Sequence, residues 1–258
     1  MLDIKQIESF YPESLRSFKK NLLREYMQYK MLEAIFESEV GRKLALLGGT
    51  AARIIHGNTR FSEDLDFDNL GINRNDFEQL ISLIKKKLKL QGYKVEIRNF
   101  FKGPCKSLIK IPNVLYENKI SEDKNEKLLI RINMEPQDFS YKLDKIIINK
   151  FDVFLRINVV PQDILLSQKI YCIFSRKRQM GRDFHDILFF LGKTKPNIKY
   201  LKQKLSIISQ DDLKSKILHK CKRIDFKQLV KDLEPFLFTP EDSKRLLSFY
   251  DFLKDYNF

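Results

Sequence analysis

The feature that most constrains the fold is a change of texture at Pro161. Between residues 93 and 160 the chain passes through YKVEIRNFFKG, SLIKIPNVLYE, KLLIRINMEP, KLDKIIINK and VFLRINVV. Each run is alternating or β-branched, the pattern of strands. From Pro161 onward, PQDILLSQKIYCIFSRKR sets Ile164, Leu165, Ile170 and Phe174 at helical spacing, and GRDFHDILFFLG follows as another helix. The remainder reads as helical hairpins broken by Pro196, Pro235 and Pro240. Ahead of the strands, residues 13–40 carry Leu15, Phe18, Leu22, Leu23 and Tyr26 on one helical face. KLALLGG then reads as a short buried strand ending in a glycine pair, and TAARIIHG as a helix closed by Gly57. RFSEDLDFDNL alternates Phe61, Leu65 and Phe67 against polar neighbours, as a strand does, and Asn75–Leu90 is an amphipathic helix stopped near Gly92. The expected class is α/β (α+β): a mixed-sheet core over residues 1–157, then a helical domain over 158–258.

A chain of 258 residues, 43% hydrophobic and 12% aromatic, can bury a core of that kind and does not have the composition of a disordered one. No apolar run approaches the length of a membrane span. The N-terminal MLDIKQIESFYPESL is amphipathic and lacks the apolar core of a secretory signal, so the expected location is the cytoplasm. Cys105, Cys172 and Cys221 are too few and too scattered for a disulfide framework or a zinc knuckle. The net charge is +14, with +5 on residues 1–155 and +9 on residues 156–258. Such a balance favours polyanionic partners, nucleic acid first, and leans the expectation toward the C-terminal part. The joint richness in Lys, Ile, Asn and Phe is also what an AT-biased coding sequence gives, so charge narrows the partner class without naming a function.

The residues that can carry chemistry are Gly48, Gly49 and Thr50, followed by Arg60-Phe61-Ser62-Glu63-Asp64-Leu65-Asp66-Phe67. A glycine pair between strand and helix lets backbone approach a ligand, and the helix start offers unpaired N–H groups to a phosphate. Alone this is weak, because a tight strand–helix turn needs glycine with or without a ligand. Asp64 and Asp66 say more. On a strand they point to one face with Ser62 and Asp68, while Phe61, Leu65 and Phe67 fill the other. Adjacent carboxylates repel unless a cation sits between them, and Mg²⁺ takes carboxylate together with phosphate oxygens.

GGTAARIIHGNTRFSEDLDF resembles the signature of the nucleotidyltransferase family that includes the AbiEii/AbiGii and MenT-type toxins: a GG-T/S loop, a helix, then R-x-S-x-D-x-D-F. Lys169 in DILLSQKIYCIFSR and the stretch Arg182-Asp183-Phe184-His185-Asp186-Ile187 resemble the family's later lysine and R-D-x-x-D motifs. The resemblance implies a polymerase-β-like nucleotidyltransferase core and Mg²⁺-dependent transfer of NMP from an NTP. It implies that Gly48, Gly49 and Thr50 line the triphosphate with Ser62 beside it, and that Asp64 and Asp66 hold metal. It further implies that Lys169 contacts nucleotide phosphates, that Asp186 is the late acid of the site, and that Arg60, Arg182 and Asp183 support it. The acceptor so implied is RNA, above all the 3′ end of tRNA, and a cognate antitoxin is the implied partner.

One departure stands out. Many nucleotidyltransferases place a third carboxylate on a later strand, and the equivalent run here, Leu128 to Glu135, has Arg131 in that region. The general base is left unassigned, with Asp186 as a substitute. Arg53 and Arg60 read equally as phosphate contacts or surface cations. His56 and His185 read as packing residues, and Lys85, Lys86, Lys87 and Lys89 as a solvated helix face. Two further readings stay open: the same chemistry on a small molecule or protein, and an NTP- or RNA-binding protein with little catalysis.

Overall fold

A computed structural model of the chain describes residues 2–258. It divides into two compact units, one made of Met1–Ala51 with Ser62–Val160 and the other of Ala52–Phe61 with Pro161–Phe258. The second boundary lies at Pro161, a few residues past the 157/158 expected from the texture change. The segment 52–61 counts with the helical unit, which sequence texture did not reveal.

The first unit opens with α1 (Ile4–Ser9), held by a capping box between Asp3 and Gln6. Helix α2 (Lys19–Phe36) comes next, then β1 (Leu44–Leu47), and α3 (Gly48–Ile54) starts directly where β1 ends. Strand β2 (Leu65–Asn69) is followed by α4 (Arg74–Leu90), which Asn73 and Asp76 cap and which buries Phe77, Leu80, Ile81, Ile84 and Leu88 at helical spacing. Strands β3 (Glu96–Phe100) and β4 (Cys105–Ile111), the single turn α5 (Val114–Glu117), and strands β5 (Leu128–Glu135), β6 (Asp144–Lys150) and β7 (Val153–Val159) complete it. Val114–Glu117 is helical, against the strand that the SLIKIPNVLYE pattern predicts. Pro112 has no N–H to extend the β4 ladder and Asn113 turns left-handed at φ 65°, so the chain leaves the sheet there.

The seven strands form one mixed sheet in the order β3-β4-β5-β2-β1-β7-β6. Strand β2 is antiparallel to β1 and parallel to β5, and β1 is parallel to β7, so the two central strands carry the crossovers. One face packs Leu46, Phe67, Ile109, Ile130, Ile132, Ile157 and Val159 under α2 and α4, all of them buried. The register fixes what shares the opposite face: Leu47 lies beside Asp66, Asp66 beside Asn133, and Asn133 beside Lys106. The strand expected over 60–70 begins only at Leu65. Upstream, the Phe61 N–H donates to the Phe236 carbonyl and the Phe238 N–H to the Thr59 carbonyl, so residues 59–61 spend their backbone hydrogen bonds in the helical unit.

The helical unit consists of α6 (Gln162–Ser175), α7 (Gly181–Leu191), α8 (Ile198–Leu205), α9 (Gln210–Cys221), α10 (Phe226–Leu233), α11 (Lys244–Leu247) and α12 (Phe249–Asp255). Phe184 sits between Phe226 and Phe249 at centroid distances of 5.5 and 5.0 Å. A Cβ on Gly181 would stand 2.1 Å from the Leu229 carbonyl oxygen, so glycine there is what lets α7 meet α10.

A buried ion cluster crosses this core. The Arg60 guanidinium grips Asp186 through two hydrogen bonds, from Nε at 2.7 Å and from Nη2 at 2.5 Å, and Asn58 Nδ2 donates to Asp186 Oδ1 at 2.7 Å. Lys169 Nζ lies 2.8 Å from Asp186 Oδ2 and 3.2 Å from Asp183 Oδ1, and Arg176 Nε is 2.9 Å from Asp183 Oδ2. Burial alone would push the Asp186 carboxyl up, but Arg60 and Lys169 outweigh it and hold the pKa well below the usual carboxylate range. Burial alone would likewise lower Lys169, and Asp186 and Asp183 raise it instead.

A carboxyl whose folded pKa is depressed stabilises the fold fully above its unfolded value, near 3.9, and loses that contribution as the pH falls through the folded value. Arg60→Gln should cost roughly 3–5 kcal/mol at neutral pH, because it strands Asp186 in a dry core. It should also move acid unfolding, followed by helical circular dichroism, to higher pH. Unchanged stability and an unchanged acid midpoint would contradict the role of this cluster.

Candidate active site

The candidate site of the first unit is built on the crossing of β1 and β2. At the end of β1 the backbone reaches φ +75° at Gly48, a conformation that L side chains rarely adopt. Asp66, paired with Leu47 in register, turns its carboxylate into the space a side chain would take. A Cβ built on Gly48 would stand 2.8 Å from Asp66 Oδ2. The glycine is therefore required twice, by its dihedral and by the approach of Asp66. The other oxygen, Oδ1, accepts a hydrogen bond from Asn133 Nδ2 at 2.8 Å across the β2–β5 pair.

Ser62, Glu63 and Asp64 form the link leading into β2, and α2 and α3 hold it. Gln28, almost fully buried on α2, donates to the Ser62 carbonyl at 3.0 Å, and Arg24 pairs with Glu63 at 3.2 Å. The Thr50 hydroxyl donates to the Asp64 carbonyl and lies 2.9 Å from the Ser62 hydroxyl. A hydroxyl has one proton, so Ser62 is the donor in the second bond. Asp64 keeps about a quarter of its side chain exposed, with Arg131 Nη1 3.8 Å from its Oδ2. Gly48, Gly49, Ser62, Asp64 and Asp66 are half-buried, and Thr50 is buried beneath them.

Asp68, the next residue on the same face, is 2% exposed. It accepts from the Gln137 N–H at 2.9 Å and the Tyr141 hydroxyl at 2.6 Å, so the segment after β5 covers it. Asp64 and Asp66 are the two carboxylates left at the surface of this face beside Gly48. Among the described residues no group of three or more His, Cys, Asp and Glu converges as a metal cage. The donor set suits Mg²⁺, which takes one or two protein carboxylates and completes its shell with water and phosphate oxygens. Asn133 is the residue that sequence reasoning missed. The register Asp66↔Asn133 puts it in the row where a third carboxylate was sought. The parity of β5 against β2 would have found it.

The structure thus brings Gly48, Gly49, Thr50, Ser62, Asp64 and Asp66 together in the first unit. Arg60, Lys169, Asp183 and Asp186 come together in the helical one, where Arg182 is half-buried on α7. Arg60 is 2% exposed and so is not a surface cation. Arg53 lies over the Phe238 ring at 4.4 Å. His56 packs on Phe190 and pairs with Gln162 at 2.8 Å, and burial together with the Lys193 charge lowers its pKa to about 4. It is neutral at physiological pH, in keeping with a packing role.

Gly48→Ala should destabilise the chain by about 1 kcal/mol or more, since alanine is strained at this φ and displaces Asp66. Urea denaturation checks the size, and a stability equal to wild type would show that the turn does not depend on glycine.

The sequence model of the nucleotidyl transferase AbiEii toxin family, type IV toxin–antitoxin system, matches residues 30–254. No curated protein sequence matches the chain. The crystal structure of JHP933 from Helicobacter pylori is similar at a TM-score of 0.53 and 17% identity, over 90% of this chain and 91% of that one. A candidate nucleotidyltransferase from H. pylori gives 0.53 and 17%, over 90% and 93%. An antigenic nucleotidyltransferase-like protein from Paracoccidioides brasiliensis is 15% identical over 79% and 92%, with a TM-score of 0.44. The H. pylori structures share the fold along most of both chains. The family match spans the glycine turn, both aspartates and the late Arg182–Ile187 helix, and the chain belongs to the AbiEii nucleotidyl transferase toxins of type IV toxin–antitoxin systems.

Proposed function

We propose that this nucleotidyltransferase moves NMP from an NTP onto the 3′ hydroxyl of an RNA, tRNA foremost, in a Mg²⁺-dependent reaction in the cytoplasm. The observation that carries the reading is the Asp66 carboxylate pressed against a side-chain-free Gly48, with Asp64 two residues away. Asp64 and Asp66 would hold Mg²⁺, which when bound neutralises phosphate charge and favours attack by the acceptor hydroxyl.

The chain's own groups do the positioning. Gly48 admits the Asp66 carboxylate against the backbone, and the turn over Gly48 and Gly49 would take the triphosphate. Thr50 fixes the Asp64 carbonyl and the Ser62 hydroxyl, which holds the backbone of the link at Asp64. Asn133 orients Asp66 through one oxygen and leaves Oδ2 on the glycine side. In the transfer, the acceptor oxygen bonds to the α-phosphorus, the bond to pyrophosphate breaks, and the hydroxyl proton passes to water. Neither Asn133 nor Arg131 can take that proton at neutral pH. Phosphoryl transfer relies on positioning and charge more than on a strong base, so the missing third acid does not forbid the reaction.

We assign Lys169, Asp183 and Asp186 to holding the helical unit together. All four lone-pair directions of Asp186 are spent on Arg60, Asn58 and Lys169, which leaves it poorly suited to act as a base.

Purified protein with labelled NTPs, Mg²⁺ and total tRNA should yield labelled, ribonuclease-sensitive product. Asp66→Asn, nearly the same shape without the charge, should lower transfer by on the order of 10²–10³-fold or more and relieve growth arrest. Arrest that persists in Asp66→Asn, or label that resists ribonuclease, would overturn the reading, the latter in favour of a protein or small-molecule acceptor.

A further inference from the structure

The open face of β3, β4 and β5 continues from Asp66 to the sheet edge, and its side chains follow from register. One row runs Phe100, Lys106, Asn133, Asp66, and the next runs Arg98, Leu108, Arg131. A third holds Glu96, Lys110 and Leu129. The reverse side of these strands is core, with Ile109, Ile111, Ile130 and Ile132 buried. A solvated face on an antiparallel sheet is ordinary; its charge pattern is not. Among the described residues Arg98, Lys106 and Lys110 form no ion pair; Glu96, opposite Lys110 in register, is held by Lys127 at 2.8 Å, and Glu135 is the exposed acid of this face on β5. Between the cations stand exposed apolar side chains, Phe100 at 39% and Leu129 at 44%, with the Arg98 guanidinium 5.0 Å from the Phe100 ring centroid. Arg131, 67% exposed, joins this face to Asp64.

We infer that the open face of β3–β4–β5 is the platform on which the acceptor RNA strand lies as its 3′ end reaches Asp64 and Asp66. Arg98, Lys106, Lys110 and Arg131 take phosphates, and Phe100 offers a ring on which a base can stack. Cations interleaved with an aromatic on a sheet suit a single strand, whose unstacked bases and backbone are both accessible. From β2 to β3 is three strand spacings, roughly 14 Å, room for a short single-stranded end and not for a duplex alone. This inference rests on the reading of the chain as an RNA nucleotidyltransferase. It places the polyanion contact on the sheet, although the net charge of the C-terminal part is the larger.

The test uses the full chain with a mixed tRNA fraction. The triple variant Arg98→Gln, Lys106→Gln, Lys110→Gln should raise the KM for tRNA by about tenfold or more at low salt and leave the KM for NTP unchanged. Its tRNA-binding constant should also fall less steeply with salt, the log–log slope shrinking by about 2, roughly 0.7 per cation removed. Single variants should each lose about 0.7, which keeps the test decisive if the triple variant folds poorly. The charge-preserving set Arg98→Lys, Lys106→Arg, Lys110→Arg should keep the wild-type slope. If wild type labels tRNA but the glutamine variants keep its KM and slope, the platform is wrong and the function stands. If wild type neither binds nor labels RNA, both fall.

Discussion

At Gly48 one chain segment yields its side chain so that another can bring in a charge. The left-handed turn ends β1 and starts α3, and the space it leaves is filled by Asp66 from the neighbouring strand. Everything else about the site follows from that crossing. Antiparallel pairing of β1 and β2 sets Leu47 beside Asp66, and parallel pairing of β2 and β5 brings Asn133 to its other oxygen. Helix α2 then pins the preceding link through Gln28 and Arg24, so that Asp64 arrives two residues earlier in a fixed place. The link and the strand thus hold both carboxylates in place beside the glycine turn.

Much of this was legible in the sequence because it depends on local pattern. Period-two alternation in Leu65–Asn69 gave the face of Asp66, and the glycine pair gave the turn. The switch from strand-like to helix-like spacing gave the two kinds of unit. What was not legible depends on pairing between distant segments. Nothing in RFSEDLDFDNL says that residues 59–61 bond to the 236–238 stretch, which removes them from the sheet. Asn133 lies 67 residues from Asp66, and only the β2–β5 register brings them together. The partners of Asp186 were equally hidden, since Arg60 and Lys169 approach it from separate parts of the chain.

The two motif groups answer different physical needs. Around Asp64 and Asp66 the carboxylates are only partly buried, with Arg131 3.8 Å from Asp64. Around Asp186 the carboxylate is dry and saturated, and its charge is consumed in holding helices and the 58–60 segment together. A buried ion cluster of this kind stabilises less than apolar packing of equal volume would, but losing one member is costly, so it fixes one arrangement of the elements it joins. Both groups carry the residue types that a motif search would class as catalytic. Exposure separates them: Asp186 is fully buried, while Asp64 and Asp66 are only partly so.

The decisive experiment is a crystal structure with Mg²⁺ and a non-hydrolysable NTP. Metal should lie about 2.0–2.1 Å from carboxylate oxygens of both Asp64 and Asp66, with the triphosphate against Gly48 and Gly49. A nucleotide seated elsewhere on the chain, with those two carboxylates bare of metal, would contradict this placement.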